Sequence, residues 1–181
     1  MMTPKFNYNV TEELFKAIED EFGGAKIAEK YLQSKNVSVF EEWGKNLMEK
    51  TYELGTKPEY IDHLYEMVKF AAEKSRQTTF PHEAQRFIEI VCLSIHFMSV
   101  VLIQTSYTKE LSFSIVEGTC SVHNKLKEAL SEDDLKTLPC KGGCLTTWKT
   151  IFNILKMDDV EVAQTQEILN DGMCTFLAQK K

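Results

Sequence analysis

Apolar residues recur every three to four positions through the first third of the chain, which is the spacing of an amphipathic helix. Glycine, serine or proline interrupts this spacing where a helix would start or stop. The pattern therefore predicts four helices: one from Thr11 that ends at Gly23, one over residues 25–33, one capped by Ser38 that ends at Gly55, and one opened by Pro58.

The pattern changes after Pro81, where an almost unbroken apolar run over residues 87–103 is interpreted as a helix turning into a buried strand near Ser99. Two apolar runs with a four-residue spacer then predict a β-hairpin over residues 100–106 and 111–117. In the remaining chain, the pattern predicts two helices, one after Cys120 and one from Cys144 to Lys156, with an acidic turn at residues 131–134 between them. It then predicts a strand over residues 160–165, a turn at residues 170–172 and a strand over residues 174–177.

A helical first half followed by a strand-rich second half predicts an α+β fold. We expect the N-terminal half to pack on an antiparallel sheet that carries two short helices. The 181 residues suit a single domain, 1–181, since no repeat or linker divides them. Within it, residues 1–98 would form the mainly helical half and residues 99–181 a cysteine-containing α+β module.

The net charge of −6 argues against a large nucleic-acid-binding face, which needs clustered Lys and Arg. The most apolar run contains polar residues and is too interrupted to span a membrane, so we expect no membrane partner. The N-terminus lacks the apolar segment of an export signal, and five cysteines are an odd number, so we expect reduced thiols and a cytoplasmic location. Sheet edges and an apolar hairpin that need cover favour a homodimer.

Four of the five cysteines lie in the last third of the chain, each where a strand, turn or helix begins or ends: Cys120, Cys140, Cys144 and Cys174. The glycine pair between Cys140 and Cys144 is interpreted as a flexible loop that lets these two thiols converge. If Cys120 and Cys174 approach the same point, four thiolates suit Zn²⁺ or an Fe–S cluster. The alternative is that all four are packing residues, as is expected of Cys92 in the apolar run.

Cys120 and His123 form a second candidate site. Cys120 is predicted at a helix N-terminus, where free backbone N–H groups and the helix dipole stabilise a thiolate. His123 follows on the same helix face and could act as a base or as a metal ligand. The alternative is a buried, unreactive Cys120 beside a surface His123. The sequence contains no Gly-rich phosphate loop, no Gly-x-Ser-x-Gly and no His-Glu-x-x-His.

The order of strand, Cys120 with its helix, Pro-Cys140, helix and a closing hairpin that ends Gly-Met-Cys174-Thr-Phe resembles the C-terminal module of 4-vinyl-reductase-type domains. It is at least as similar to the L-2-amino-thiazoline-4-carboxylate hydrolase-like proteins and their uncharacterised relatives in anaerobic bacteria and archaea. Residues 14–23, Ala25 and Trp43 resemble the opening of those relatives, so the resemblance covers residues 10–55 and 112–178.

This resemblance implies a ligand-sensing domain, an accessory protein of tetrapyrrole metabolism or a hydrolase. In the zinc-binding members, Cys140 and Cys174 would match the outer pair of cysteines, and Glu161 or Glu167 would supply the acidic ligand. The chain departs from that pattern because Gln164, Thr165 and Gln166 occupy the region of the middle cysteine.

Two functions follow, and the sequence leaves open whether the protein is an enzyme. The first is a sensor or accessory protein that binds a small molecule or a metal ion between the helical half and the sheet, with a cysteine cluster. The second is a hydrolase-like enzyme that acts on a small sulfur- or nitrogen-containing ring, with Cys120 as nucleophile and His123 as base. We favour the first because a cluster requires only convergence, whereas catalysis also needs an oxyanion-stabilising group that the sequence does not indicate.

Overall fold

The computed structural model describes residues 16–55, 99–107 and 109–181 of the chain. In its first part, residues 16–22 are helical, and two further helices follow: α1 (Gly24–Ser34) and α2 (Ser38–Gly55). These elements confirm the second and third predicted helices and the end of the first at Gly23. The Thr11 cap, the helix from Pro58 and the segment around Cys92 lie outside the described residues.

The second part contains four strands and four helices among the described residues. It confirms the predicted hairpin, the two longer helices and the closing strands, and with them the α+β class. In chain order the elements are β1 (Val101–Tyr107), β2 (Glu110–Val116), α3 (Ser121–Ala129), α4 (Glu132–Lys136), α5 (Lys141–Ile154), β3 (Val160–Gln166), α6 (Ile168–Asp171) and β4 (Met173–Lys180).

The four strands form one antiparallel sheet in the order β1-β2-β4-β3. Phe113 of β2 lies opposite Phe176 of β4, and Ile115 lies opposite Cys174. Because directly opposed residues of an antiparallel pair share a face, Cys174 lies on the same face as Phe113 and Phe176. This face meets the helices, so the last cysteine is directed toward the interior.

The larger of two hydrophobic clusters, here called the sheet cluster, joins that face to α2 and α5. Its centre is Phe113, whose ring centroid lies 3.8 Å from that of Trp148 and 5.5 Å from that of Phe176. All three side chains are buried. The remaining fully buried members come from both halves of the chain: Ile18, Leu47, Met48, Ile151 and Ala178.

A second hydrophobic cluster, here called the helix cluster, lies between α1, the start of α2, α3 and the segment that leads into α5. Tyr31 and Phe40 pack with ring centroids 5.0 Å apart. The cluster also contains Ile27, Ala28, Val39, Val122, Leu126, Leu135, Leu138, Cys140 and Ile168. Each cluster thus combines residues from before Gly55 with residues from after Ser99. Residues 16–55, the described part of the helical half, are therefore packed on the cysteine-containing module.

Glycines allow α2 and α5 to cross at close range. A Cβ atom on Gly44 would lie 2.2 Å from the carbonyl oxygen of Gly143, and one on Gly143 would lie 2.8 Å from the carbonyl oxygen of Phe40. Both distances are too short for a carbon atom, so only glycine fits at these two positions. The crossing fixes the N-terminal turn of α5, which carries Cys140 and Cys144.

Three local expectations need correction. The glycine pair is not a flexible loop: α5 starts at Lys141, one turn before the predicted start, because the contact with α2 outweighs the low helix propensity of glycine. Asn36, rather than Ser38, accepts the capping hydrogen bond of α2, from the Ser38 backbone N–H at 3.0 Å. The acidic turn is the short helix α4, since Ser131 accepts a hydrogen bond from the Asp134 N–H at 3.1 Å.

Candidate functional site

The structure brings the four cysteines of the last third together, and we call Cys120, Cys140, Cys144 and Cys174 the thiol cluster. All four are free thiols. Cys144 interacts electrostatically with each of the other three, Cys140 also with Cys120 and Cys174, and Cys174 also with Cys120. All six pairs therefore lie within the range of electrostatic interaction, although the chain segments that carry them are separated by up to 54 residues (174 − 120).

The thiol cluster lies where the two hydrophobic clusters meet. Cys140 is buried within the helix cluster, and Cys144 packs against the sheet cluster. Cys120 and Cys174 contact both. The sulfurs consequently share an apolar environment in which any charge that forms on them needs a nearby compensating group.

Three of the four thiols lie at or near the N-terminal end of a helix. Cys120 is the N-cap residue of α3, Cys140 is the N-cap residue of α5, and Cys144 follows one turn later on α5. Neither N-cap side chain makes a capping hydrogen bond that meets normal geometry. The backbone amides of Val122 and His123 nevertheless lie close enough to lower the pKa of Cys120. The predicted placement of Cys120 at a helix N-terminus is confirmed.

Burial is the largest influence on every thiol of the cluster, and it raises each pKa. For Cys174, burial has the largest effect on the pKa, and the backbone amide of Ile168 partly offsets the increase. The resulting pKa is about 11. For Cys140 and Cys144 the neighbouring thiols raise the pKa further, because two adjacent thiolates repel each other. The cluster is therefore neutral at neutral pH unless a cation binds it.

An ion pair lies beside the cluster at Cys174. Lys141 Nζ is 2.7 Å from Glu167 Oε1, and both side chains are partly exposed. Glu167 raises the pKa of Cys174 and Lys141 lowers it. Of the two acids that the family resemblance names, Glu167 is thus next to a thiol. Glu161, on β3, instead forms an ion pair with Lys181, with 2.6 Å between Glu161 Oε1 and Lys181 Nζ. Sequence reasoning did not identify Lys141, because it placed this residue in a loop before the helix.

A small cavity of about 30 Å³ opens beside two of the thiols, Cys120 and Cys144. Among the described residues its wall also contains Trp43, Leu47, Ser99, Ile115, Val122, Thr147 and Trp148. The Ser99 hydroxyl is buried and has no hydrogen-bond partner among the residues that the structure describes. A space of this size holds about one water molecule or one ion. No pattern in the sequence indicated that Ser99 lines this cavity.

His123 is buried, with 2% of its surface exposed, so its interpretation as a surface residue is wrong. Neither ring nitrogen has a hydrogen-bond partner in the described part of the chain, and the ring is therefore not hydrogen-bonded to the Cys120 thiol. Burial lowers the pKa of His123, Lys127 lowers it further, and Glu117 opposes both. The pairing of Cys120 with His123 as nucleophile and base stays a prediction.

Within residues 16–55, 99–107 and 109–181, no three His, Cys, Asp or Glu side chains are placed so that they could ligate one metal ion. The four thiols are therefore near one another, but their sulfurs are not arranged as the ligands of a tetrahedral metal site. Small changes of side-chain rotamer alter the position of a cysteine sulfur because only one torsion angle separates it from the backbone. Cys92 lies outside the described residues.

The raised thiol pKa values predict that the metal-free fold loses stability in alkali. A thiol whose pKa is higher in the folded state stabilises the fold fully below its ordinary value of 9.0, and this contribution is lost as the pH rises toward about 11 for Cys174. Urea unfolding between pH 8 and pH 11 would measure the loss. The variant Cys174→Ala should show a shallower decline than the native chain, and an identical decline in both would contradict the assignment.

The chain matches no protein-family model, no curated protein sequence and no solved structure. In the described residues no helix is both long enough and apolar enough to cross a membrane. The similarity to 4-vinyl-reductase-type and hydrolase-like proteins thus rests on the residues quoted above. Function has to be inferred from the thiol cluster and its surroundings.

Proposed function

We propose that this protein is a metal-binding sensor or accessory protein that holds a thiophilic metal ion in the thiol cluster. One observation carries the proposal: four free thiols from three separate segments of the chain lie near enough to one another to interact electrostatically. Packing alone would not require cysteine at all four positions, since valine or alanine also fills apolar space. Thiolate ligands select Zn²⁺, Cu⁺ and Fe–S clusters over hard cations such as Mg²⁺.

The surroundings of the sulfurs support metal binding. In an apolar site a thiolate is costly unless a cation or hydrogen-bond donors stabilise it. A bound metal ion supplies the positive charge, and the backbone amides near Cys120 and Cys174 add donors directed at the sulfurs. Such outer contacts orient ligands and tune a metal site. A cluster of free thiols also fits the expected reducing, cytoplasmic location.

The hydrolase-like alternative lacks a specific observation in its favour. Its nucleophile, Cys120, has a raised pKa, and the ring of its proposed base, His123, makes no hydrogen bond to that thiol. The cavity beside Cys120 measures about 30 Å³, and ligand pockets are typically at least ~300 Å³. The described residues therefore offer room for an ion and none for a ring compound at this thiol.

Metal analysis of protein purified without oxygen tests the proposal. We expect about one equivalent of Zn, Cu or Fe per native chain, either as isolated or after incubation with each metal in turn. Cys120→Ala should lose the metal, whereas Cys92→Ala, which changes the cysteine that the sequence predicts to be a packing residue, should keep it. Native protein that folds normally and takes up none of the three metals would contradict the proposal.

A further inference from the structure

We propose that the ion bound by this protein is a soft monovalent cation, Cu⁺, held between the sulfurs of Cys120 and Cys144 in the cavity beside Trp43 and Trp148. This inference rests on the proposed metal-binding function and names the ion and its two primary ligands. Cys140 and Cys174 are then neighbours of the site rather than ligands.

The composition of the cavity wall carries the inference. Of the four clustered thiols, only Cys120 and Cys144 line the cavity. No carboxylate or imidazole stands among the described residues of its wall. Zn²⁺ in structural sites takes four N, S or O ligands in a tetrahedron. Two thiolates satisfy Cu⁺, a soft d¹⁰ ion that readily accepts two sulfur ligands, whereas for Zn²⁺ the described residues of the wall supply two of the four ligands.

The side-chain oxygen atoms among the described wall residues are the neutral hydroxyls of Ser99 and Thr147, whereas Zn²⁺ sites in proteins use thiolate, imidazole and carboxylate ligands. The Thr147 hydroxyl donates its hydrogen to the Gly143 carbonyl oxygen, at 2.9 Å. Ser99 is 4% exposed, and its hydroxyl is the one unpartnered polar side-chain group among the described wall residues. A neutral hydroxyl is a weak ligand, but it can donate a hydrogen bond to a thiolate sulfur.

Two indole rings close the cavity beside the thiols. The Trp43 Nε1–H donates a hydrogen bond to the Phe22 carbonyl oxygen at 2.9 Å, and Trp148 is packed against Phe113, so both rings are fixed in place. Aromatic rings attract cations through their electron-rich faces. The cavity volume of about 30 Å³ suits one bare ion and excludes a hydrated one with several waters.

Each metal–thiolate bond also releases a proton, because the thiols are protonated before the ion arrives. Binding of Cu⁺ by two thiols converts two S–H groups into two metal–sulfur bonds and releases two protons to solvent. The apparent affinity should therefore rise about 100-fold per pH unit near neutrality, whereas a four-thiol site would give about 10,000-fold.

Titration of the reduced full chain under anaerobic conditions tests the inference, with Cu⁺ and Zn²⁺ added separately and bicinchoninate competing for Cu⁺. The chain has two tryptophans, both in the cavity wall, so we expect one equivalent of Cu⁺ to quench the indole fluorescence.

Cu⁺ affinity should fall at least 100-fold in Cys120→Ala and Cys144→Ala. It should fall by less than tenfold in Cys140→Ala and Cys174→Ala, which change members of the thiol cluster that neighbour the ion without binding it. The isosteric Cys120→Ser and Cys144→Ser, with circular dichroism spectra recorded, separate loss of a ligand from loss of folding.

The outcomes distinguish this inference from the proposed function. Equal losses of affinity in all four alanine variants, or tight Zn²⁺ binding with weak Cu⁺ binding, would overturn the two-thiol Cu⁺ site and leave metal binding by the thiol cluster intact. Failure of every thiophilic metal to bind would reject both.

Discussion

Metal loading of the reduced protein is expected to raise its thermal unfolding midpoint by about 8–16 °C. A ligand that binds only the folded state stabilises it by about 4 kcal/mol when its concentration is about 1,000 times its dissociation constant. For a chain of this length, each kcal/mol raises the midpoint by about 2–4 °C. Calorimetry of the metal-free and metal-loaded protein under reducing, anaerobic conditions measures the shift directly.

The same experiment on two cysteine variants shows whether the thiol cluster is responsible. Cys120→Ala should unfold at nearly the same temperature with and without metal. Cys92→Ala should keep the full shift even if its own baseline changes. A shift that persists in Cys120→Ala would place the binding elsewhere in the chain.

Gly143→Ala is expected to lower the free energy of unfolding by about 1–3 kcal/mol, whereas the adjacent Gly142→Ala should leave it unchanged or raise it by up to about 1 kcal/mol. The new Cβ at residue 143 would lie 2.8 Å from the Phe40 carbonyl oxygen and 3.1 Å from the Phe40 Cβ, where the backbone of α2 cannot yield. At residue 142 its nearest neighbour is Glu41 Cγ, at 3.1 Å. The Glu41 side chain is exposed and can rotate away.

Urea unfolding of the two alanine variants tests this difference, and they form a matched pair because both exchange the same residue type within one helical turn. Gly143→Ala should also weaken metal binding, since a shift of α5 moves Cys144 away from Cys120. Gly142→Ala should bind metal like the native chain. Equal stability of the two variants would show that the close crossing of α2 and α5 is not required.

Much of the fold follows from local signals in the sequence. Helical spacing of apolar residues predicted α1 and α2, and the glycine at position 23 predicted the end of the first helix, which the structure shows at the same place. The hairpin of β1 and β2 followed from two apolar runs and a short spacer. These signals succeed because capping, glycine stops and hairpin turns act over a few neighbouring residues.

The start of α5 shows where such signals fail. Two adjacent glycines normally weaken a helix, and locally they indicate a loop. Here they are helical because Gly143 packs closely against Gly44 and Phe40 of α2, a contact between residues about 100 positions apart. No single-sequence pattern contains that contact, so the interpretation of the glycine pair as a flexible loop was wrong.

The candidate site was only partly predictable for the same reason. The position of Cys120 at a helix N-terminus is a local property, and the sequence predicted it. Burial of the thiols, which raises their pKa values, depends on how the two hydrophobic clusters meet. The burial of His123 and of Ser99, whose hydroxyl has no hydrogen-bond partner among the described residues, likewise depends on the packing of residues that are distant in the sequence.

X-ray absorption spectroscopy at the metal edge of the loaded protein tests the central claim most directly, because it identifies the atoms bound to the ion. Metal binding by the thiol cluster predicts a first coordination shell of sulfur alone, two atoms for the Cu⁺ site proposed above. A first shell of nitrogen and oxygen atoms, with no sulfur, would contradict it.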